Sequence, residues 1–290
     1  MPTMHEGEKI EMPYANGMPT PEDIEFFKEN GYWISPKIIS DEWLEKLRDR
    51  MEKVYRHEYE TGMPPSSAWS EETSLPNSLR KTDNAHWSDL TIRALAYNPL
   101  IGKIAAALHE TDTIRFWEDQ LLFKPANSGG GASNVGWHQD YHYWPCFQNP
   151  ETLITAWVAY DDVDEANGCM QMVPGSNQWG ILQYSDFYEQ DLNKQLTNIA
   201  TVKGNTGSPV PIIMRAGQVS FHHSLTLHGS GPNVSDRVRR SSALHYVTGE
   251  TRYRAGYSDG YKEIQEFVAA GGKDGDIIQG EMFPIVYQKA

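Results

Sequence analysis

Short β-prone runs separated by turn residues limit the fold of this chain more than any other feature of its sequence. They occupy residues 114–123, 153–160, 169–173, 212–214, 219–221 and 241–247. The segments between them contain Ala-Asn-Gly, Pro-Gly-Ser and Gly-Ser-Gly-Pro, which are typical of tight turns. Many short strands divided by Gly and Pro indicate a sandwich or barrel rather than alternating βα units. We therefore expect a mainly β fold.

Helices are expected before this β region. Thr20, followed by Pro and two acidic residues, predicts a helix start, and Gly31 predicts the end of that helix. Ser40 begins a second helix whose apolar residues recur at helical spacing, a pattern typical of packing against a core. A third helical stretch is expected to break at Pro99, because proline lacks an amide donor. The sequence thus predicts a helical flank beside the β region, an α+β arrangement.

One domain is the simplest organisation for a chain of 290 residues without internal repeats. We expect an N-terminal arm and helical flank at 1–112, a β core at 113–250 and a C-terminal extension at 251–290. A Gly-rich loop at 127–134 lacks the lysine and hydroxyl of a phosphate-binding loop. It is either a flap beside a site or a plain flexible connection.

The charge of the chain bears on its partners. It has 39 acidic and 25 basic residues and a formal net charge of −14, which argues against binding to nucleic acid or to an anionic membrane surface. Two cysteines make neither a disulfide framework nor a zinc motif. No secretory signal or run of about 18 apolar residues occurs. We expect a cytoplasmic protein, monomeric or homodimeric, that acts on a small molecule.

The segment Gly136-Trp137-His138-Gln139-Asp140 contains two metal-ligand side chains two residues apart. If the backbone is extended, His138 and Asp140 lie on the same face of the strand. One more imidazole would complete a set of two histidines and one carboxylate, which leaves coordination positions open for other ligands. His222, His223 and His228 are the downstream candidates for that third position.

Arg239 follows His228 by eleven residues, on the last β-prone run. The planar guanidinium binds a carboxylate through two parallel hydrogen bonds. A fixed cation near an open metal face suits a dicarboxylate co-substrate that chelates the metal through its other end. The sequence therefore makes Arg239 a candidate anchor for such a molecule.

Five sequence blocks resemble the phytanoyl-CoA dioxygenase family of iron(II)/2-oxoglutarate oxygenases. They are KP (124–125), WHQDYHYWP (137–145), TAWVAYDDVDEANGCMQMVPGSN (155–177), LHGSGPN (227–233) and VRRSSALHY (238–246). The order and spacing of several blocks are far more specific than the histidine–aspartate pair alone. The resemblance implies a double-stranded β-helix, the cupin-like jelly roll, with helices at its flank.

The resemblance also implies roles for individual residues. It implies three iron ligands, His138, Asp140 and His228. It implies contacts with 2-oxoglutarate by Arg239, Ser230 and Trp157, the first two at the C5 carboxylate. Gln139 matches the family pattern but receives no chemical role.

The function implied by the resemblance is an Fe(II)/2-oxoglutarate-dependent dioxygenase. Such an enzyme uses O₂ to oxidise a small-molecule substrate and releases succinate and CO₂. The carboxylate of Asp140 favours hydroxylation or another oxidation over halogenation, because halogenating relatives carry a small residue there to admit halide. Tyr143 and Trp144, beside the expected ligands, are candidate substrate contacts, or else aromatic residues of the core.

Two other functions fit parts of the pattern. One is a cupin-like metalloenzyme that does not use 2-oxoglutarate, but such an enzyme has no need for a carboxylate anchor at Arg239. The other is a non-catalytic β-sandwich that binds a small molecule. It predicts that removal of the imidazole of His138 leaves ligand binding intact.

Overall fold

The computed structural model describes residues 17–129, 133–203, 207–257 and 260–290. Most of the expected N-terminal arm, at 1–16, lies outside the described residues. The centre of the Gly-rich loop, at 130–132, also lies outside them. The interpretation of this loop as a flap therefore stays a prediction.

The first two helices begin and end where the sequence predicts. Helix α1 (Pro21–Asn30) is capped by Thr20, which forms a reciprocal capping box with Asp23. Helix α1 ends at Gly31, whose φ of 79° is favourable only for a residue without a side chain. Helix α2 (Asp41–Tyr55) is capped by the hydroxyl of Ser40. The capping residues thus fix these helices locally, before any tertiary contact.

The expected break at Pro99 separates two helices. Helix α3 (Leu90–Ala96) ends before it, and helix α4 (Pro99–Leu108) starts with the proline, capped by the side chain of Asn98. The apolar faces of these helices and of α2 pack with the outer side chains of a large β-sheet in one hydrophobic cluster. This packing gives the large sheet one face covered by helices and one face free for a second sheet.

The large sheet is antiparallel, and its order within the described residues is β1-β8-β5-β10-β3-β11, with β2 also paired to β3. Its strands are β1 (Tyr32–Ile34), β2 (Arg80–Asp83), β3 (Thr113–Lys124), β5 (Leu153–Ala159), β8 (Val219–His223), β10 (Arg239–Thr248) and β11 (Ile285–Gln288). Strands β1, β2 and β11 come from outside residues 113–250. The flank and the C-terminal extension therefore contribute strands to the same sheet as the core.

The small sheet is also antiparallel and has the order β4-β9-β6-β7 within the described residues. Its strands are β4 (Val135–His138), β6 (Met170–Met172), β7 (Val210–Pro211) and β9 (His228–Ser230). The expected strand at 212–214 is wrong: pairing with β6 ends at Pro211, and Met214 forms only an isolated bridge to Val163. The two sheets form the jelly roll predicted from the sequence.

Two further helices lie outside the sheets, α5 (Leu192–Lys203) between β6 and β7 and α6 (Lys262–Ala269) in the C-terminal extension. Helix α6 is amphipathic and buries Ile264 and Phe267. No helix in the described part of the chain is long and apolar enough to cross a membrane.

Candidate metal site and its cavity

A cavity lies between the two sheets, with an empty volume of about 460 Å³ that includes space open to solvent. The large sheet contributes polar side chains to its wall, among them Gln120, Thr155, His222, Arg239 and His245. The small sheet contributes His138, His228 and Ser230, and Asp140 comes from the turn that follows β4. The space between the sheets therefore combines a metal-binding group with an unusually polar wall.

His138, Asp140 and His228 are brought together at this cavity. Their ligand atoms all lie within 4.8 Å of one another, and all three residues are buried. Strand β4 ends at His138, and Asp140 begins a short 3₁₀ turn. Gln139 between them is extended, with φ −108° and ψ 132°, so the expected placement on one face is retained. The pairing of β4 with β9 sets His138 opposite His228.

The hydrogen bonds of the two imidazoles fix their tautomers. Nδ1 of His138 lies 2.8 Å from the carbonyl oxygen of Gly136, and Nδ1 of His228 lies 2.9 Å from that of Thr226. A carbonyl only accepts, so each Nδ1 carries the proton and each Nε2 keeps a free lone pair. The two Nε2 atoms lie 3.5 and 3.6 Å from Oδ1 of Asp140. This donor set fits a divalent metal, and two histidines with one carboxylate suit non-haem iron(II).

The second carboxylate oxygen of Asp140 is held by the protein. The hydroxyl of Thr155 donates to Oδ2 over 2.6 Å, and Nε2 of His222 donates to the same oxygen over 3.2 Å. Oδ1 is thereby left facing the two free imidazole nitrogens. His222, one of the three candidates for the third metal position, is therefore a hydrogen-bond donor to the carboxylate.

The pKa shifts of the group agree with a metal-binding state. Burial, followed by the neighbouring imidazole of His138, holds the pKa of His228 well below its usual range, so this histidine is neutral. Burial alone raises the pKa of Asp140, but the surrounding imidazoles, His228 first, hold it well below its usual range. A neutral imidazole and an ionised carboxylate are the protonation states that coordinate a metal.

Two buried cations lie at the other end of the cavity. Arg239 is 2% exposed and Lys124 is fully buried, and the two are directly paired across β10 and β3. The Lys124 ammonium donates to the hydroxyl of Ser230 over 2.6 Å and to the carbonyl oxygen of Gly231. Nε of Arg239 has no hydrogen-bond partner among the described residues, and its guanidinium lies 5.3 Å from the ring centroid of Trp157.

Burial opposes the charge of both cations. It lowers the pKa of Arg239 to about 10 and, together with the nearby Arg239, lowers that of Lys124 well below its usual range. Buried charges are normally paired, yet no carboxylate of the described residues forms an ion pair with either side chain. The arrangement therefore fits an anionic ligand that enters the cavity and supplies the missing charge.

The expected substrate contacts are placed beside the cavity. Tyr143 lies 6.1 Å from the ring of His138, and its hydroxyl accepts a hydrogen bond from the backbone amide of Phe187 over 2.6 Å. Trp144 is 3% exposed and packs its ring against His245 at 4.6 Å. The cavity wall itself is formed there by Phe187 and His245 rather than by these two aromatic residues.

Gln139, which received no role from the sequence, holds a neighbouring segment in place. Its amide donates to the carbonyl oxygens of Gly180 and Leu225 over 2.9 and 2.7 Å, and its side-chain oxygen accepts from the amide of Leu182 over 2.8 Å. The segment at 180–187 leads to Phe187, whose ring lies 5.1 Å from that of His138. Gln139 therefore positions one wall of the cavity.

Sequence reasoning missed several polar residues of the site. They are Lys124, Glu118, Gln120, Thr155 and His245. Each lies within a β-prone run or, for Lys124, directly after one. Polar residues at alternating positions of such a run are the available signal for a strand face that lines a polar cavity.

Comparison with known proteins identifies the same family that the sequence blocks resemble. Residues 27–241 match the family model described as phytanoyl-CoA dioxygenase (PhyH). The peroxisomal phytanoyl-CoA dioxygenase of Rattus norvegicus is 25% identical over 257 residues, covering 85% of this chain and 73% of the relative. Its similarity extends well beyond the metal-ligand segments.

Two solved structures share the fold. The non-heme alpha ketoglutarate dependent carbocyclase SnoK from nogalamycin biosynthesis aligns with a TM-score of 0.70 and 25% identity, covering 92% of this chain and 96% of that one. The epimerase SnoN in complex with Fe³⁺, alpha ketoglutarate and nogalamycin RO aligns with a TM-score of 0.70 and 22% identity, covering 91% and 97%. Since the family model spans most of the chain, this protein belongs to the phytanoyl-CoA dioxygenase family.

Proposed function

We propose that this protein hydroxylates a small organic molecule bound in the cavity between its sheets. It is an Fe(II)/2-oxoglutarate-dependent dioxygenase, the enzyme class of its family. The observation that carries the proposal is the pairing of two features in one cavity. A buried set of two histidines and one carboxylate lies at one end, and two buried cations without an ion-pair partner in the described chain lie at the other.

The first step of the proposal concerns the metal. His138, Asp140 and His228 would hold iron(II), each through one atom. The free Nε2 lone pairs and the hydrogen bonds to Oδ2 of Asp140 support this assignment, because they leave one oxygen of the carboxylate for the metal. Three protein ligands leave positions for a chelating co-substrate and for O₂.

The second step concerns the co-substrate. Arg239 and Lys124 would bind the distal carboxylate of 2-oxoglutarate, with Ser230 between them. Trp157 would form the floor beneath its carbon chain. The unpartnered Nε of Arg239 supports this role, since a carboxylate binds a guanidinium through two hydrogen bonds. A metalloenzyme that did not use a dicarboxylate would leave these two buried charges uncompensated.

The third step concerns the reaction. Iron(II) with 2-oxoglutarate and O₂ supplies the oxidant for the substrate, and the co-substrate leaves as succinate and CO₂. The residues of this chain orient the reactants and keep the space between the sheets shielded from water. The carboxylate of Asp140 occupies the position that must be empty in a halogenating enzyme, which argues against halogenation, and hydroxylation is the oxidation that we propose.

An anaerobic binding experiment tests the proposed function. Addition of 2-oxoglutarate to the Fe(II)-loaded protein should produce a weak visible charge-transfer absorption, and admission of O₂ should then release succinate. With substrate present, the product should gain one oxygen atom by mass. Absence of both the absorption and succinate would contradict the proposal. A product that has lost two hydrogens, or kept its mass, would retain the enzyme class but exclude hydroxylation.

A further inference from the structure

Four polar side chains form a row across the inner face of the large sheet. The strand register sets Glu118 on β3 opposite His245 on β10, His245 opposite Thr155 on β5, and Thr155 opposite His222 on β8. All four side chains are nine-tenths or more buried. This row, Glu118–His245–Thr155–His222, ends at the metal-ligand candidate Asp140 on one side.

Two members of the row, His245 and Thr155, form a directed chain of hydrogen bonds that leads to Asp140. Thr155 gives its proton to Asp140, so its oxygen accepts from Nδ1 of His245 over 2.8 Å. Burial lowers the pKa of His245 to about 4, so this imidazole is neutral and its Nε2 carries a lone pair. That Nε2 has no partner among the described residues. The chain therefore ends in an unused hydrogen-bond acceptor.

Glu118, the last member of the row, lacks a partner of its own. It is 6% exposed, and its buried Oε2 accepts no hydrogen bond from the described residues. It lies two residues from Gln120, which lines the cavity and shares the same face of β3. A carboxyl group buried without a donor is strongly unfavourable, so this position indicates a missing donor rather than ordinary core packing.

The charges around Glu118 specify the kind of donor. Burial and then the carboxylate of Asp83 raise the pKa of Glu118, and Glu263 and Asp119 act in the same direction. Lys81, the cation that opposes them, forms an ion pair with Asp83. The local potential is therefore negative: it keeps Glu118 protonated in the free protein, and an ammonium that binds there would take the place of that proton.

The aromatic ring of Phe187, which lines the cavity, lies near the charged groups around Glu118. The ammonium of Lys81 lies 5.9 Å from the ring centroid of Phe187, which also packs against His138. The ring face of Phe187 is thus oriented towards a position occupied by positive charge. A second ammonium that lay against Gln120 and His245 of the cavity wall would be next to Glu118, and Phe187 lines the same cavity.

We propose that Glu118 is the specificity-determining residue of the substrate site and binds an ammonium group of an amine-bearing substrate. Gln120 and Nε2 of His245 offer further acceptors to the same group. Two strand spacings, about 10 Å, separate Glu118 from Thr155. A small amine could therefore reach from Glu118 to the metal end of the cavity. The inference rests on the proposed function, since it assumes that the cavity binds the molecule to be oxidised.

Matched small probes test the charge preference. Binding of n-hexylammonium and benzylammonium to the wild-type protein, measured by saturation-transfer NMR, is compared with binding of the corresponding alcohols and carboxylates. We expect the ammonium forms to bind at least tenfold more tightly than either counterpart. Equal binding of alcohol and amine, or absence of amine binding, would overturn the proposal.

Variants locate the interaction. Glu118→Gln should weaken ammonium binding at least tenfold, whereas Glu151→Gln, a change at a carboxylate paired with His223 outside this cavity, should leave it unchanged. Asp83→Asn, at a more exposed position, provides a second test if the buried variant does not fold. It leaves the charge of Lys81 uncompensated, so ammonium binding should fall and hexanoate binding should rise. If both variants keep the wild-type preference for ammonium over alcohol and carboxylate, the proposal is overturned.

The failure of this inference can be told apart from failure of the proposed function. Succinate release by wild-type protein without substrate depends on the metal, 2-oxoglutarate and O₂, and not on the substrate site. If succinate forms but amines bind no better than alcohols, the substrate class is wrong and the enzyme class stands. If amines bind selectively but no succinate forms under any condition, the amine site stands and the proposed chemistry fails.

Discussion

Arg239 illustrates how one buried side chain can carry a functional prediction. Its guanidinium is shielded from solvent, has an unpartnered Nε and donates to the carbonyl oxygen of Gly168 without a carboxylate partner. An ordinary structural arginine would be paired. Ligand binding therefore explains its position better than stability does.

Replacement of Arg239 by glutamine should raise the KM for 2-oxoglutarate by about tenfold to a hundredfold, the range for loss of hydrogen bonds between charged groups. The dependence of succinate formation on 2-oxoglutarate concentration measures this. Arg237→Gln is the matched control, because Arg237 is exposed and pairs with Asp164 at 2.6 Å. A similar KM in both variants would contradict the assigned role.

Thr155 acts on the metal site without touching the metal. Its hydroxyl donates the shorter of the two hydrogen bonds that Oδ2 of Asp140 accepts. Thr155→Val removes that bond while keeping the shape of the side chain. Because hydrogen bonds to a ligand orient it, the affinity for Fe(II) should fall by about tenfold to a hundredfold. Competition with a chelator gives the affinity. Thr201→Val, on the exposed side of α5, should have no effect, and unchanged affinity in both variants would disprove the orienting role.

At the scale of elements, the segment at 180–187 is held against the site by side chains and by backbone hydrogen bonds to β4. The side chain of Gln139 forms hydrogen bonds with the backbone of Gly180 and Leu182. Gln195 of α5 donates to the carbonyl oxygens of Tyr184 and Asp186. The backbone amide of Gly136 donates to the carbonyl oxygen of Phe187 over 2.8 Å. The position of Phe187 in the cavity wall therefore depends on these few contacts.

Gln139→Ala should loosen this segment. The three hydrogen bonds of its side chain are lost, so amide hydrogen exchange at residues 180–187 should speed up by about tenfold or more, a loss of at least 1.4 kcal/mol of local stability. Mass spectrometry of peptic fragments provides the measurement. Gln190→Ala, at an exposed position of the same loop, serves as control. Exchange that accelerates equally throughout the chain would indicate general destabilisation instead.

At the scale of the whole molecule, the C-terminal extension helps to close the fold. Strand β11 pairs with β3, and Glu263 of α6 is 1% exposed. Burial raises the pKa of Glu263 to about 7 from its ordinary 4.5, so the folded protein retains a proton that the unfolded chain releases. Stability from this group is complete below about pH 4.5 and is lost as the pH rises towards 7.

Glu263→Gln should remove this pH dependence. Each pKa unit corresponds to about 1.4 kcal/mol, so the rise from 4.5 to about 7 amounts to roughly 3.5 kcal/mol. The variant should be more stable than the wild type near pH 8 and similar near pH 4. Denaturant unfolding over a pH series gives the comparison, with the exposed Glu281→Gln as control. Parallel pH profiles for wild type and Glu263→Gln would contradict this explanation.

Local chemistry let the sequence predict α1 to α4 and the strands β3, β5, β6, β8 and β10. Thr20, Ser40 and Gly31 fix helix ends through their own hydrogen bonds and dihedral angles, and Pro99 begins α4 because it has no amide to donate. The prediction of a strand at 212–214 is wrong because strand pairing depends on a distant partner. Here the partner is β6, and its pairing with β7 ends at Pro211.

The sequence by itself determined the helical flank, the mainly β core and, through the spacing of its family-like blocks, the metal-ligand candidates and Arg239. Only the tertiary structure decided which polar residues surround them. Glu118, His245, Thr155 and His222 are far apart in the chain and carry no common motif. They meet because the register of four antiparallel strands aligns them on one face. Register is a property of pairing between strands, and no local pattern encodes it.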